Sequence, residues 1–229
     1  MSLTAPPLLA ARNVTFAYGS SKAIFSAASV EIRQGTFNCI VGESGIGKTT
    51  LLKLLYGQIE PQNGHVLLSD VPLSKFSQRE MQMYRRICGV IFQDSFMIPG
   101  LSIRENISLP SILNNSYNDD VRGAIYSLSE QLGIQNIMEE FPGNISVGER
   151  QRAGIVRAAV AKPAIIFADE PTGSLDEDNK IKCFYMLHQM TTRGATIVCA
   201  THDFEIVHWA KPNTIAIRSG KCVVSPPLA

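Results

Sequence analysis

Long hydrophobic runs are missing from this sequence. No stretch approaches the roughly 18 consecutive apolar residues of a membrane-spanning helix. The segment Met1 to Arg12 puts no basic residues ahead of its short apolar stretch, so a signal peptide is not expected either. Membrane association is therefore expected to come through a partner. Cysteine is scarce. Cys39, Cys88, Cys183, Cys199 and Cys222 are odd in number, far apart and never spaced C-x-x-C, which argues against a zinc site or a disulfide framework and fits a reducing compartment. Cys39 and Cys199 fall inside apolar runs and read as small buried hydrophobes. An excess of one charge is missing too. Lys plus Arg number 21 against 20 for Asp plus Glu, so the net charge of +1 leaves no basic footprint for nucleic acid. Pairs such as Arg85-Arg86 read as a solvated helix face. Internal repeats, low-complexity tracts and sustained heptads are also lacking.

What is present can fill a core. With 45% apolar and 18% charged residues, the 229-residue chain fits one α/β domain carrying an insertion. Strand-like runs lie around Val14-Thr15-Phe16, around Val30-Glu31-Ile32 and over Phe37 to Val41. The last is almost wholly apolar, as burial on both faces requires. A glycine-rich turn follows, then a helical pattern from Lys48 to about Gln58. Asn63-Gly64 signals a hairpin-type turn before a strand at His65 to Ser69. Residues 78–87 read as helix and Gly89 to Phe92 as strand. Residues 102–158 are mainly helical, broken by Asn114 to Asp120 and by Pro142-Gly143. Strand patterns resume at Ala164 to Ala168, Thr196 to Ala200, Thr214 to Ile217 and Cys222 to Val224, with a helix over Asp178 to Met190. Apolar strands alternating with helices predict a largely parallel sheet covered on both faces, the helical middle being an insertion.

The chemistry begins at Gly42-Glu43-Ser44-Gly45-Ile46-Gly47-Lys48-Thr49-Thr50, which matches G-x-x-x-x-G-K-[ST] between a buried strand and a helix. Glycines let backbone N–H groups curl around phosphate oxygens, and the following helix points its positive end at the same anion. Lys48 is expected to reach the β- and γ-phosphates, and Thr49 to offer its hydroxyl to Mg²⁺. A second strand, Ile165-Ile166-Phe167-Ala168, ends in Asp169-Glu170. Asp169 is placed to hold Mg²⁺, partly through water, and Glu170 to polarise the attacking water as general base.

With these residues in hand, the chain resembles the ATPase subunits of ABC transporters over nearly its whole length. The resemblance implies further roles. Gln93, after Val90-Ile91-Phe92, matches the glutamine that contacts Mg²⁺ and water and links to the membrane partner. Ile145-Ser146-Val147-Gly148-Glu149, followed by Arg150-Gln151-Arg152, matches the signature motif, whose helix start faces the γ-phosphate of the other subunit. Ser174-Leu175-Asp176 matches the D-loop, His202 the switch histidine and Tyr18 the aromatic that stacks on adenine. The implied fold is α/β, a P-loop NTPase (RecA-like) core with a mainly parallel sheet, an N-terminal antiparallel β part and an inserted α-helical subdomain. Residues 1–229 then form a single ATPase domain, with 1–93 and 160–229 in the core and 94–159 in the helical subdomain. The implied activity is hydrolysis of ATP by a homodimer that encloses two Mg-ATP and drives a separate permease, at the cytoplasmic face of the cell membrane.

Within that family, the run Phe167 to Asp176 and the stretches Ala158 to Pro163, Leu51 to Leu55 and Arg85 to Asp94 are similar to the branch serving macrolide exporters, lipoprotein-releasing complexes and the cell-division pair. This implies mechanical export or extraction. Nutrient-importer ATPases share every catalytic motif, although many add a C-terminal regulatory domain, which is not expected here. A soluble ABC ATPase is the third alternative, and tandem cassettes or coiled coils are lacking. The signature departs from its family in Val147, where glycine is usual, and in Glu149, where glutamine is usual. Because a β-branched residue cannot take glycine's permissive backbone angles, slower or more partner-dependent turnover is expected. Phe96, Met97 and Ile98 are expected to be exposed and to line a permease-binding groove at Gln93 to Pro99.

Overall fold

The computed structural model describes residues 7–92, 95–203, 207 and 211–225. Ten strands and six α-helices occur among them: β1 Leu9–Phe16, β2 Phe25–Ile32, β3 Phe37–Val41, α1 Lys48–Leu55, β4 Asn63–Leu68, β5 Val71–Pro72, α2 Gln78–Arg86, β6 Cys88–Ile91, α3 Ile103–Leu113, α4 Asp119–Gln131, α5 Val147–Val160, β7 Ile165–Asp169, α6 Glu177–Thr192, β8 Thr196–Ala200, β9 Asn213–Arg218 and β10 Lys221–Ser225. A six-stranded sheet runs β10-β9-β3-β8-β7-β6, and a four-stranded sheet runs β2-β1-β4-β5. Every pairing from β9 to β6 in the larger sheet is parallel, and only β10 is antiparallel to its neighbour. The smaller sheet is antiparallel throughout. The chain therefore has the α/β architecture of a P-loop NTPase.

Side-chain alternation fixes the two layers. In β3, Phe37, Cys39 and Val41 face one apolar core while Ile40 faces another. In β7 and β8, Ile166, Ala168, Ile197 and Cys199 join the first core, and Ile165, Phe167, Val198 and Ala200 the second. The first core is closed by α3 to α6, the second by α1 and the antiparallel sheet. Both faces of the central strands are thus dry, which is why these segments read as unbroken apolar runs. Each fully buried aliphatic or aromatic side chain there contributes about 1.5–3 kcal/mol. By contrast, β2 alternates buried and exposed positions, as an antiparallel strand with one wet face does.

Local signals set the helix starts. Ser77 with Glu80, Ser102 with Glu105 and Ser146 with Glu149 each form a reciprocal capping box at the heads of α2, α3 and α5. Two expected boundaries move. Helix α1 stops at Leu55 rather than near Gln58, because Tyr56 and Gly57 close the last turn on Leu52 and Leu54. Asn63-Gly64 is not a turn but the opening of β4. Gly64 has φ 78°, and a Cβ there would run into the carbonyl of Asn13, where β1 bulges against β4. The glycine serves close approach of two strands.

Three helices, α3, α4 and α5, lie between β6 and β7. Their entry segment is fastened by Asn106, which is fully buried. Its Oδ1 accepts from the Ile98 N–H at 2.7 Å, and its Nδ2 donates to the carbonyls of Ile98, Leu101 and Ser102.

Candidate functional site

The parallel strands place the chemistry at their carboxyl ends, where crossovers leave the sheet in opposite directions. Gly42 follows β3, Glu170 follows β7, and Thr201-His202 follow β8. β8 lies between the other two and pairs with both, so the three strand ends are neighbours.

The loop from Gly42 to Gly47 leads into α1. Gly47 caps the helix with φ 114° and no side-chain cap bond. A Cβ at this position would lie 2.6 Å from Ile24 Cγ2 and 3.2 Å from a Phe25 ring carbon, so only glycine fits. The first-turn N–H groups of α1 have no intrahelical acceptor and open toward the loop, the arrangement that attracts an anion. Glu43, Ser44 and Gly45 are exposed, Ile46 packs on the antiparallel-sheet core, and Thr50 is buried. Lys48 is only 8% exposed, and its Nζ donates to the carbonyls of Gly42 at 2.9 Å and Glu43 at 3.1 Å.

Two acids meet this loop. Thr49 Oγ1 donates to Asp169 Oδ1 at 3.1 Å. Burial raises the Asp169 carboxyl above its usual range; the Thr49 hydrogen bond opposes this, and the neighbouring Glu170 adds to it. Two hard oxygen donors side by side suit Mg²⁺, which takes its remaining ligands from phosphate and water. The Glu170 carboxylate lies 3.9 Å from Lys48 Nζ and 2.9 Å from His202 Nδ1. The Glu170 N–H donates to the Ala200 carbonyl, and φ at Glu170 is 47°, in the left-handed region. A side chain disfavours that conformation, so the surrounding bonds must hold it.

The remaining sequence-selected residues sit apart. Tyr18 is 46% exposed beyond β1, edge-on to Phe16 with ring centroids 4.9 Å apart. Gln93 lies outside the described residues. Ser146, Val147, Gly148 and Glu149 open α5, and among the described residues none of them bonds to the phosphate loop. The Ser146 hydroxyl accepts from the Glu149 N–H, and the Ser146 hydroxyl and N–H both donate to the Glu149 carboxylate, holding it below its usual range. Val147 is the first helical residue and has no positive φ, so the expected backbone conflict at this position does not arise. Its side chain is instead 57% exposed at the helix tip. Leu175 is buried. Asp176 caps α6, accepting from the N–H of Asn179 at 2.9 Å and from its side-chain amide at 2.8 Å, which lowers its carboxyl.

Gln151 falls inside the signature run, where no sequence pattern assigns it a role. The structure buries it between the signature helix and the turn Glu170 to Ser174. Only its place in the run marked it beforehand.

A groove of about 570 Å³ opens elsewhere, lined by Arg85, Arg86, Val90, Phe96, Ile98 and Leu113 among others. Phe96 and Ile98 are exposed, as expected. Met97 is not, because it packs against the helical-side core. Arg157 of α5 holds this segment, donating to the carbonyls of Ser95 at 2.5 Å and Phe96 at 2.8 Å. Burial pushes the Arg157 guanidinium below its usual range.

Residues 25–173 match the family model described as ABC transporter. The chain is 32% identical over 212 residues to the cell division ATP-binding protein FtsE of Streptococcus pneumoniae, covering 93% of this chain and 92% of that one. It is 33% identical to FtsE of Bacillus subtilis over 209 residues, covering 91% and 92%. It is also 36% identical over 180 residues to the ABC transporter ATP-binding protein YtrE of Bacillus subtilis, 78% of each chain. Among solved structures, the dimeric post-hydrolysis state of an ATP-binding cassette bound to ADP and Pi superposes with TM-score 0.86 at 26% identity, covering 96% of this chain and 99% of that chain.

Proposed function

The chain belongs to the ABC transporter family as an ATP-binding, ATP-hydrolysing cassette of the FtsE-like branch, and on that premise we propose that it works as a homodimer whose ATP cycle drives a separate membrane permease of the mechanical export or extraction type. The observation that carries the catalytic part is the meeting of Lys48, Thr49, Asp169, Glu170 and His202 at the neighbouring ends of β3, β7 and β8. Residues Gly42 to Thr50 bind the phosphates through backbone N–H groups, and Lys48 exchanges its loop carbonyls for phosphate oxygens. Thr49 and Asp169, with Gln93, would hold Mg²⁺, which when bound neutralises phosphate charge. Glu170 takes a proton from the attacking water as the water oxygen bonds to the γ-phosphorus. The β–γ bridging bond breaks, and its electron pair leaves with ADP. His202 orients the Glu170 carboxylate, and Tyr18 stacks on the adenine.

The start of α5 at Ser146 to Glu149, together with Ser174 to Asp176, completes the site of the second subunit. Two ATP molecules then bridge the dimer, and loss of the γ-phosphate releases it, a ligand-biased two-state cycle. We assign residues 1–93 and 160–229 to the core and 94–159 to the helical part. The groove at Phe96 and Ile98 receives the permease. Among the described residues no helix is long and apolar enough to cross a membrane, so attachment at the cytoplasmic face through the permease fits this reading.

The test is recovery of the Glu170→Gln protein from native membranes with MgATP. Co-purification of a permease with about four spanning helices and a large extracytoplasmic part supports the proposal. A many-helix permease with a solute-binding protein would replace it with an importer, and no membrane partner would replace it with a soluble ATPase.

A further inference from the structure

Gln151 has no part in the chemistry above, yet it is tied to that chemistry more closely than any other residue of α5. It is 2% exposed. Its Nε2 donates to the Glu170 carbonyl at 2.8 Å. Its Oε1 accepts from the Ser174 N–H at 3.2 Å and from the Ser174 hydroxyl. One side-chain amide therefore closes both ends of the turn that begins at the proposed base and ends at the D-loop.

The backbone it grips is strained. Glu170 stands at φ 47°, and its N–H is held by the Ala200 carbonyl. With the backbone in this left-handed conformation the Glu170 carboxylate lies 3.9 Å from Lys48 Nζ and 2.9 Å from His202 Nδ1. Released on the carbonyl side, the turn would be free to relax toward an ordinary conformation, carrying the carboxylate with it. A shift of about 1 Å at a reacting group costs on the order of 100-fold in rate.

We propose that Gln151 is a positioning residue that fixes the left-handed backbone of Glu170 and so aims its carboxylate. This rests on the assignment of Glu170 as base. Gln151 sits on the helix whose head is the signature motif, so a tilt of α5 is carried through this amide to the base of the same subunit. Engagement of the signature at one ATP of the dimer then reaches the catalytic group at the other.

The experiment compares wild type with Gln151→Met, which keeps the length and loses all three hydrogen bonds. A second variant, Gln151→Glu, keeps an acceptor for Ser174 and loses the donor to Glu170; Glu170→Gln is the reference. Steady-state ATPase is measured against ATP concentration on the purified full chain, together with ATP bound per chain. Both Gln151 variants are expected to lower kcat by about 10- to 100-fold, with KM and binding stoichiometry unchanged. Wild-type kcat in Gln151→Met overturns the proposal. Wild-type kcat in Gln151→Glu also overturns it, by shifting the effect to Ser174. A kcat loss matched by an equal loss of ATP bound overturns it as well, because the protein has merely unfolded. Wild-type turnover in Glu170→Gln is a different failure, since it removes the base assignment itself.

Discussion

His202 Nδ1 lies 2.9 Å from Glu170 Oε1, and the His202 N–H reaches the other carboxylate oxygen at 3.4 Å. The histidine side chain is 68% exposed while the glutamate is 16% exposed. The acid is therefore the enclosed partner and the imidazole the solvent-facing one. Lys48, 3.9 Å away, approaches the same oxygen. The carboxylate thus sits between the Lys48 ammonium and the His202 imidazole.

Glu170→Gln follows directly from this arrangement. The amide keeps the shape and can still bond to His202, but it cannot accept the proton of the attacking water. Turnover is expected to fall by at least about 100-fold while ATP binding persists, and the ATP-bound dimer should accumulate. Steady-state ATPase and size-exclusion chromatography with MgATP check this. A variant hydrolysing at the wild-type rate would falsify the base assignment.

Asp169 carries a burial cost. Its raised carboxyl means that the folded chain holds this proton more tightly than the unfolded chain does. Between the ordinary carboxylate pKa and the raised one, its contribution to stability grows as pH falls and is lost as pH rises. Asp169→Asn removes the charge and keeps an oxygen for Thr49. The ligand-free variant should melt higher than wild type at neutral pH, with less pH dependence across that window. Its melting temperature should no longer respond to Mg²⁺ in the presence of ATP. Thermal melts from pH 4 to 8 give both readings.

Arg157 braces the groove. Ser95 and Phe96 stand at φ 57° and 34°, two consecutive left-handed side-chain-bearing residues, and the Arg157 guanidinium takes both of their carbonyls. Arg157→Met leaves those acceptors without their donor at a cost of about 1–3 kcal/mol, read by urea unfolding. Amide exchange at residues 95–98 should quicken more than exchange in β3 or β8. Equal quickening everywhere would mean that Arg157 stabilises the whole chain and not this segment.

Phe96→Asp and Ile98→Asp test what the groove receives. Both side chains are exposed, so the folded chain should tolerate the change with unaltered melting temperature and ATP binding, while co-purification with the permease is lost. Retained co-purification in the double variant would place the partner elsewhere. Met97 is unsuited to this test because it is partly buried and packs against the core.

Particular residues show what could be read from sequence. Phe37 to Val41 reads as a strand buried on both faces because Phe37, Cys39 and Val41 fill one core and Ile40 the other, while Asn38 is buried by hydrogen bonds to Thr36 and Ile197. Gly42 to Thr50 declared a phosphate loop because backbone geometry and helix start are both written locally. Asn63-Gly64 misled, since a turn glycine and a glycine pressed against a neighbouring strand look alike until the bulge in β1 is known. Met97 misled because the loop around it is folded by Arg157 and Asn106 from other elements. The role of Gln151 is not legible in the sequence because its partners lie 19 and 23 residues away in the chain, and no local pattern distinguishes a helix-surface glutamine from one plugged into a turn.

Val147 gives a prediction whose two effects have opposite signs. The residue sits at the first position of α5 with ordinary helical backbone, so glycine's conformational freedom is not needed there. What valine adds is an exposed branched side chain at the helix tip that the proposed dimer turns toward the partner's γ-phosphate. Replacing it with glycine removes that bulk, opening the way to the first-turn N–H groups, and weakens the helix by about 0.5 kcal/mol. Val147→Gly should therefore hydrolyse ATP faster than wild type while melting slightly lower. ATPase rates alone and with the permease, set beside melting curves, separate the two terms. A lower melting temperature without a gain in rate would mean that the valine side chain does not obstruct the phosphate, and that its effect ends at the helix.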